Sequence, residues 1–309
     1  MSRRKFVASI CMPLVLLLSA NVVGAATVFV NCGGKAGLTS IGAALKAVQN
    51  AGPSTIKVSG ACRENVVIQS LDRLTLKAVN GASISDASGG TLDVVAVDDS
   101  QDVAINGFTV NAGSGDAING IHCGDFSVCR LSGNLVQGAS GGAGLAVFGG
   151  AEAALDGDTF QNNGIGLQSV SGAKVRSALL GRPFISRQNG QGIRVVRGAL
   201  VNGLATVEHN SQGVVVRFNS TLDLSNGSIS NNEVVGVDVG EGSAARFTPA
   251  SITNNGGPGV LIHDLSMVTF DGATVTGNGG GTDVDCEPQF AVTRGTGDLG
   301  GGTTNCVEP

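Results

Sequence analysis

Apolar and polar residues alternate along most of this chain in runs too short for helices and too regular for loops. Val237 and Val239, Ala245 and Phe247, then Ile252 are followed one unit later by Val260 and Ile262, Val268 and Phe270, then Val275. This period-two spacing predicts half-buried strands, and the i, i+3, i+4 spacing of an amphipathic helix is missing from these units. Each unit also holds a turn in which asparagine precedes glycine: "FQNNGIGL", "SRQNGQGI", "EHNSQGV", "ISNNEVVGV" and "ITNNGGPGVLI". The last asparagine before each glycine turn falls at Asn163, Asn189, Asn210, Asn232, Asn255 and Asn278, at intervals of 26, 21, 22, 23 and 23 residues. A period in this range is the mark of a solenoid.

Three short strands per coil, stacked ~4.8 Å from their counterparts, would place equivalent side chains in columns. Val214, Val237 and Val260 would share one inward column, and Leu222, Ala245 and Val268 another. The asparagines would form a ladder, each amide bonding the turn and the amides above and below. Glycine would supply the positive φ that re-aims the chain into the next strand. The L-x-x-L-x-L pattern of a leucine-rich horseshoe is absent, and a sandwich does not need so regular a period. The expected fold class is therefore all-β, a parallel β-helix solenoid.

Units such as "NNGGPGVLI" and "NSQGVVV" resemble the N-x-x-G-[VIL]-x-[VI] coils of the right-handed parallel β-helix, or pectin lyase-like, superfamily. The resemblance covers roughly residues 27 to 309 and is strongest from Gly144 to Asn278. It implies one domain over 27–309, with an N-terminal cap and first coils over 27–70 and a C-terminal cap over 280–309. "LTSIGAALKAVQNAG" fits a short capping helix, with Thr39 or Ser40 as N-cap, a stripe of Ile41, Leu45 and Val48, and a stop at Gly52. An open solenoid end exposes apolar surface and strand edges, so both ends need covers.

Composition narrows the picture. The chain has 309 residues, 42% apolar, with 49 glycines and neither Trp nor Tyr. Residues 1–26 read as a signal peptide: basic "SRRK", apolar "MPLVLLLSA", then small "VVGAA" with cleavage near Ala25 or Ala26. The expected location is therefore exported, periplasmic or extracellular, by a twin-arginine or general secretory route. Beyond the leader, sixteen basic and twenty-four acidic residues leave a formal charge of −8, which argues against nucleic acid as a partner. No later stretch reaches the ~20 apolar residues of a membrane span. Six cysteines remain, and their clustering favours Cys32–Cys62, Cys123–Cys129 and Cys286–Cys306 among fifteen pairings. A metal site is not expected, since no C-x-x-C pair or His-rich partner segment is present.

Counting each coil from its glycine, positions +2 and +4 face outward. The +2 column reads Gln168, Arg194, Val215, Asp238, Leu261, and the +4 column Val170, Val196, Arg217, Gly240, His263; beyond the strand come Ser171, Arg197, Phe218, Glu241 and Asp264. Arg217, Asp238 and His263 are the candidate catalytic residues, by acid–base chemistry. Arg194, Arg197, Glu241 and Asp264 are candidate substrate contacts, the arginines suited to a sugar carboxylate. The alternative is that opposite charges merely pair between neighbouring coils.

The superfamily resemblance implies an acidic polysaccharide bound along one outer sheet face, and for an enzyme a polysaccharide lyase, glycoside hydrolase or related uronate-active activity. A lyase would bring in calcium, for which Asp238, Glu241 and Asp264 form a sparse set. "IHDL" at His263 and Asp264 is similar to part of the D-P-H-D motif of alginate epimerases. The clustered aspartates and G-H-G-type histidine of polygalacturonases are absent; "VDDS" at Asp98 and Asp99 is nearest and reads as a polar turn. His122 and His209 read as single polar residues near turns without companions. Only Phe148 and Phe218 are expected outward, leaving little aromatic surface for stacking on sugars. The competing function is a noncatalytic structural or adhesive solenoid, or a protein-interaction surface; oligomeric state is open.

Overall fold

The computed structural model describes residues 25–49, 51–113, 119–177, 181–287 and 299–306. The leader through residue 24 and part of the expected C-terminal cap lie outside them. Ten strands, from Val66–Gln69 to Val284–Cys286, stack in chain order into one sheet. A nineteen-strand sheet takes the other strands of each coil. Neighbouring coils pair in parallel and in register: Ile193, Val214, Val237 and Val260 are consecutive partners, as are Leu222, Ala245 and Val268. All seven are buried. Three strands per coil is not universal, because Thr221–Ser230 and Ala244–Thr253 run through a corner as single ten-residue strands.

The asparagine ladder forms as its spacing predicts. The backbone N–H and side-chain Nδ2 of Asn163 both donate to Asn189 Oδ1, at 2.9 and 3.2 Å. The same double bond repeats from Asn189 to Asn210, Asn210 to Asn232, Asn232 to Asn255 and Asn255 to Asn278. Each Nδ2 also donates to a main-chain carbonyl, for example Asn210 to Ser186 O at 3.1 Å. The ladder ends on Asp283, whose Oδ1 accepts both donors of Asn278 and whose Oδ2 accepts from the backbone and hydroxyl of Thr303. Burial disfavours the Asp283 carboxylate, but these four donors outweigh it and hold the carboxyl below its usual range.

A shorter ladder of the same kind occupies another corner. Asn134 accepts from Phe108 N and donates twice to Asp158 Oδ1, at 2.9 and 2.8 Å, while Asp158 Oδ2 accepts from Asp156 N. Asp158 is fully buried, and burial pushes its carboxyl up to about 6 despite these bonds.

The helix Ile41–Val48 forms with Ser40 as N-cap, its Oγ accepting from Ala43 N at 3.2 Å. Glu64, from the following coil, accepts from the first two helical N–H groups, at Ile41 and Gly42. Ile41, Ala44, Leu45 and Val48 are buried against the first strands. The helix stops at Val48 with Gln49 as C-cap, three residues earlier than a glycine stop at Gly52 predicts. The disulfides are Cys32–Cys62, Cys123–Cys129 and Cys286–Cys306.

Two outcomes follow for stability. Asn210→Ala removes the acceptor of two Asn189 donors at a buried site, and should cost about 3 kcal/mol in denaturant unfolding; a loss below about 0.5 kcal/mol would contradict the ladder's role. Asp158 binds its proton more tightly folded than unfolded, so its contribution is fully present below pH ~4 and lost as pH rises through about 6. Asp158→Asn should flatten that slope, removing a pH-dependent difference of about 3 kcal/mol between pH 4 and 7, measured as variant minus wild type.

Candidate functional site

The ten-strand sheet aligns the expected outward columns. Gln168, Arg194, Val215, Asp238 and Leu261 are consecutive register partners, as are Val170, Val196 and Arg217. Gly240 and His263 continue the second column through backbone bonds to Val216 O and Val239 O. The residues beyond the strand, Ser171, Arg197, Phe218, Glu241 and Asp264, all adopt positive φ between 51° and 60°. This repeated left-handed corner swings their side chains beside the sheet face.

Arg217, Asp238, His263 and Asp264 form one connected cluster. Asp238 Oδ2 accepts from Arg217 Nη2 at 2.5 Å, and Asp238 Oδ1 lies 2.9 Å from His263 Nε2. His263 Nδ1 lies 2.7 Å from Asp264 Oδ2 and 3.4 Å from Arg217 Nη1. A proton on either ring nitrogen thus meets a carboxylate oxygen. The Asp238 and His263 side chains are only 9% and 10% exposed, whereas Asp264 is 48% exposed. The cluster can pass a proton through the imidazole between solvent-facing Asp264 and enclosed Asp238.

Glycine makes room for this arrangement. A Cβ on Gly240 would lie 2.5 Å from His263 Cε1 and 2.7 Å from Nε2, and closer still to Arg217 Nη1. Glu241, the next residue, contributes a buried Oε2 with no hydrogen-bond partner among the described residues. Arg194 and Arg197 share the face but make no ion pair among the described residues. Val196 and Val215, in outward columns, are nevertheless buried. Asp238, Glu241 and Asp264 do not fit a calcium cage: both Asp238 oxygens face cationic or N–H donors, and Asp264 faces the imidazole, whereas a hard cation needs several free oxygen ligands.

A second histidine cluster on the same face contradicts the expectation that His122 lacks companions. His122 Nδ1 lies 2.8 Å from Asp93 Oδ2, and Nε2 lies 3.1 Å from Asp98 Oδ1 without hydrogen-bond alignment. Asp93 Oδ1 accepts from the backbone and side chain of Asn119. Burial disfavours the Asp93 carboxylate, yet the bonds from His122 and Asn119 outweigh it and hold the carboxyl below its usual range. The His122 ring lies 4.1 Å from that of Phe148, centroid to centroid. Asp98 is therefore more than a turn residue, while Asp99 does sit in the turn, at φ 47°, accepting from Ser70. The two histidines are six strands apart, about 29 Å. Distance in sequence hid the second one: Asp93 lies twenty-nine residues before His122 and meets it only through coil stacking. The period itself was the usable signal.

Residues 93–293 match the model of the right handed beta helix region. The chain belongs to that family. Among solved structures it resembles the A-module of mannuronan C-5 epimerase AlgE6 from Azotobacter vinelandii, with a TM-score of 0.62 at 18% identity over 87% of this chain and 91% of that one. The AlgE4 A-module from the same organism gives 0.58 at 16% identity over 87% and 93%. The GH136 lacto-N-biosidase from Eubacterium ramulus gives 0.52 at 11% identity over 92% and 67%. No match was found among curated protein sequences. At these identities the right-handed β-helix itself is what the chain shares with polysaccharide-active proteins.

Aromatic exposure also differs from expectation. Phe247 and Phe270 are core residues and Phe218 is exposed, but Phe29 and Phe126 are exposed too, at 68% and 75%. Gly240→Ala should displace the Arg217 and His263 side chains and cost about 1–3 kcal/mol by overpacking. Thermal unfolding and the His263 ring resonances in NMR check this; an unchanged ring spectrum would show that the glycine is not needed.

Proposed function

We propose that the outer face of the ten-strand sheet binds and processes an acidic polysaccharide, with Arg217, Asp238 and His263 as the reacting centre. The observation that carries this reading is the hydrogen-bonded chain of Asp264, His263, Asp238 and Arg217 on the outer sheet face, in which Asp238 and His263 are almost enclosed. Enclosing Asp238 and His263 is costly unless they are paired, and an imidazole held between two carboxylates is an arrangement suited to acid–base chemistry. Arg194 and Arg197 lie nearby for the sugar carboxylates, with guanidinium geometry suited to bidentate contact. Asp264 and Glu241 border the centre, and His263 would transfer the proton when a uronate is attacked. The epimerase and glycosidase names of the structural neighbours support a glycan as the ligand.

Three disulfides and the leader-like first 26 residues support export to an oxidising compartment, periplasmic or extracellular. In the same reading the helix Ile41–Val48 covers one end of the core, and residues 299–306, bonded to the last coil and held by Cys286–Cys306, cover the other. A noncatalytic solenoid is the second reading. One observation favours it: Arg217, Asp238 and His263 already satisfy one another.

A screen on pectate, alginate and related uronates, with and without calcium, separates the two by following unsaturated products, reducing ends and epimer content. We expect turnover of a polyuronate that His263→Gln lowers by about 10²-fold or more, with binding retained. Wild-type protein without turnover, or a His263→Gln variant as active as wild type, would remove the catalytic assignment.

A further inference from the structure

Phe29, Lys57 and Lys77 are consecutive register partners on the first coils, in the nineteen-strand sheet and away from the face discussed above. Lys57 and Lys77 therefore stand side by side on one face, one strand spacing apart, ~4.8 Å. Like charges placed directly across neighbouring strands are destabilising. Several other outward cations meet carboxylates across coils, Lys174 and Arg176 with Glu152, Arg182 with Asp156, Arg246 with Asp271, and Arg187 meets Gln161. No ion pair to Lys57 or Lys77 occurs among the described residues.

The surroundings make this lysine pair more than a charged patch. The three residues line a cleft of about 790 Å³, walled by the segment holding Asn31 and Leu38 and by Asn80, a size typical of small-ligand sites. Phe29 is two-thirds exposed, and Lys57 Nζ lies 5.4 Å from its ring centroid. The cleft thus combines a flat apolar plate with two ammonium groups lacking counter-charge. Charge along the chain points the same way: residues 25–80 hold six basic and two acidic side chains, and residues 81–309 ten basic and twenty-two acidic.

We propose that this cleft is a second binding site, taking a carboxylate-bearing sugar whose apolar ring face lies on Phe29 and whose anion sits between Lys57 and Lys77. The choice of a sugar acid rests on the polysaccharide reading above; the site does not share a residue with it. Bound anion would relieve the lysine repulsion, and the aromatic plate would distinguish a sugar acid from a bare anion.

The test titrates the mature chain with a galacturonate hexamer, a neutral hexasaccharide and inorganic phosphate, by calorimetry and NMR. Lys57→Ala with Lys77→Ala should weaken hexagalacturonate at this site at least tenfold, while the ligand-free variant melts no lower than wild type. Phe29→Ala should weaken the uronate but leave phosphate unchanged. An Arg194→Ala, Arg197→Ala variant run in parallel reports on the ten-strand face alone. If that variant abolishes all uronate binding and the lysine variant none, this site is refuted and the other stands; the reverse outcome refutes the other. Equal binding of the neutral sugar, or a dimer that the lysine substitutions dissolve, would also overturn the proposal, the latter assigning the lysines to self-association.

Discussion

The structure depends on one constraint: a parallel coil has a complete set of partners only when an almost identical coil lies on either side. Strand hydrogen bonds, core columns and corner amides all run along the same axis, so each unit is stabilised chiefly by its neighbours. The asparagine ladder applies that rule at the corner, where turning backbone would otherwise bury unpaired N–H groups. Each amide both accepts from the preceding coil and donates to the next, which fixes register as well as supplying about 1 kcal/mol per net hydrogen bond.

The same axis determines what a surface site can be. Positions that share a face are twenty to thirty residues apart in the chain but one strand apart in space. His263 reaches Asp238 from the preceding coil and Arg217 from the coil before that. Asp93 reaches His122 in the same way. A cluster assembled like this depends on coil length, so insertions within a coil would disturb chemistry several strands away less than they disturb the local column.

Much of this was legible because the repeat sets both period and face. Counting each coil from its glycine put Arg217 and Asp238 on one outward face in neighbouring coils, and the inward valines followed from alternation alone. His122 escaped because the ladder count begins only at Asn163, although Asn119–Gly120 before Ile121 repeats the turn of later units and would have set a register for Asp93 and Asp98. Phe126 was missed for a related reason: with Asp125 it forms two successive left-handed residues, a conformation that composition does not reveal. The helix end was displaced because Gly52 is a plausible stop but Gln49 already closes the helix.

Both amide ladders finish on aspartate, and this gives the solenoid a direction. Asparagine can relay a hydrogen-bond chain because it both donates and accepts, whereas ionised aspartate only accepts. Asp283 gathers four donors from Asn278 and Thr303 and leaves none to offer onward. A whole coil duplicated between Asn232 and Asn255 would find its corner bonds already waiting on both sides. The same coil added beyond Asp283 would meet a closed terminus. The aspartate therefore acts as punctuation for the amide ladder, marking where that ladder can be lengthened by repeat duplication and where it stops.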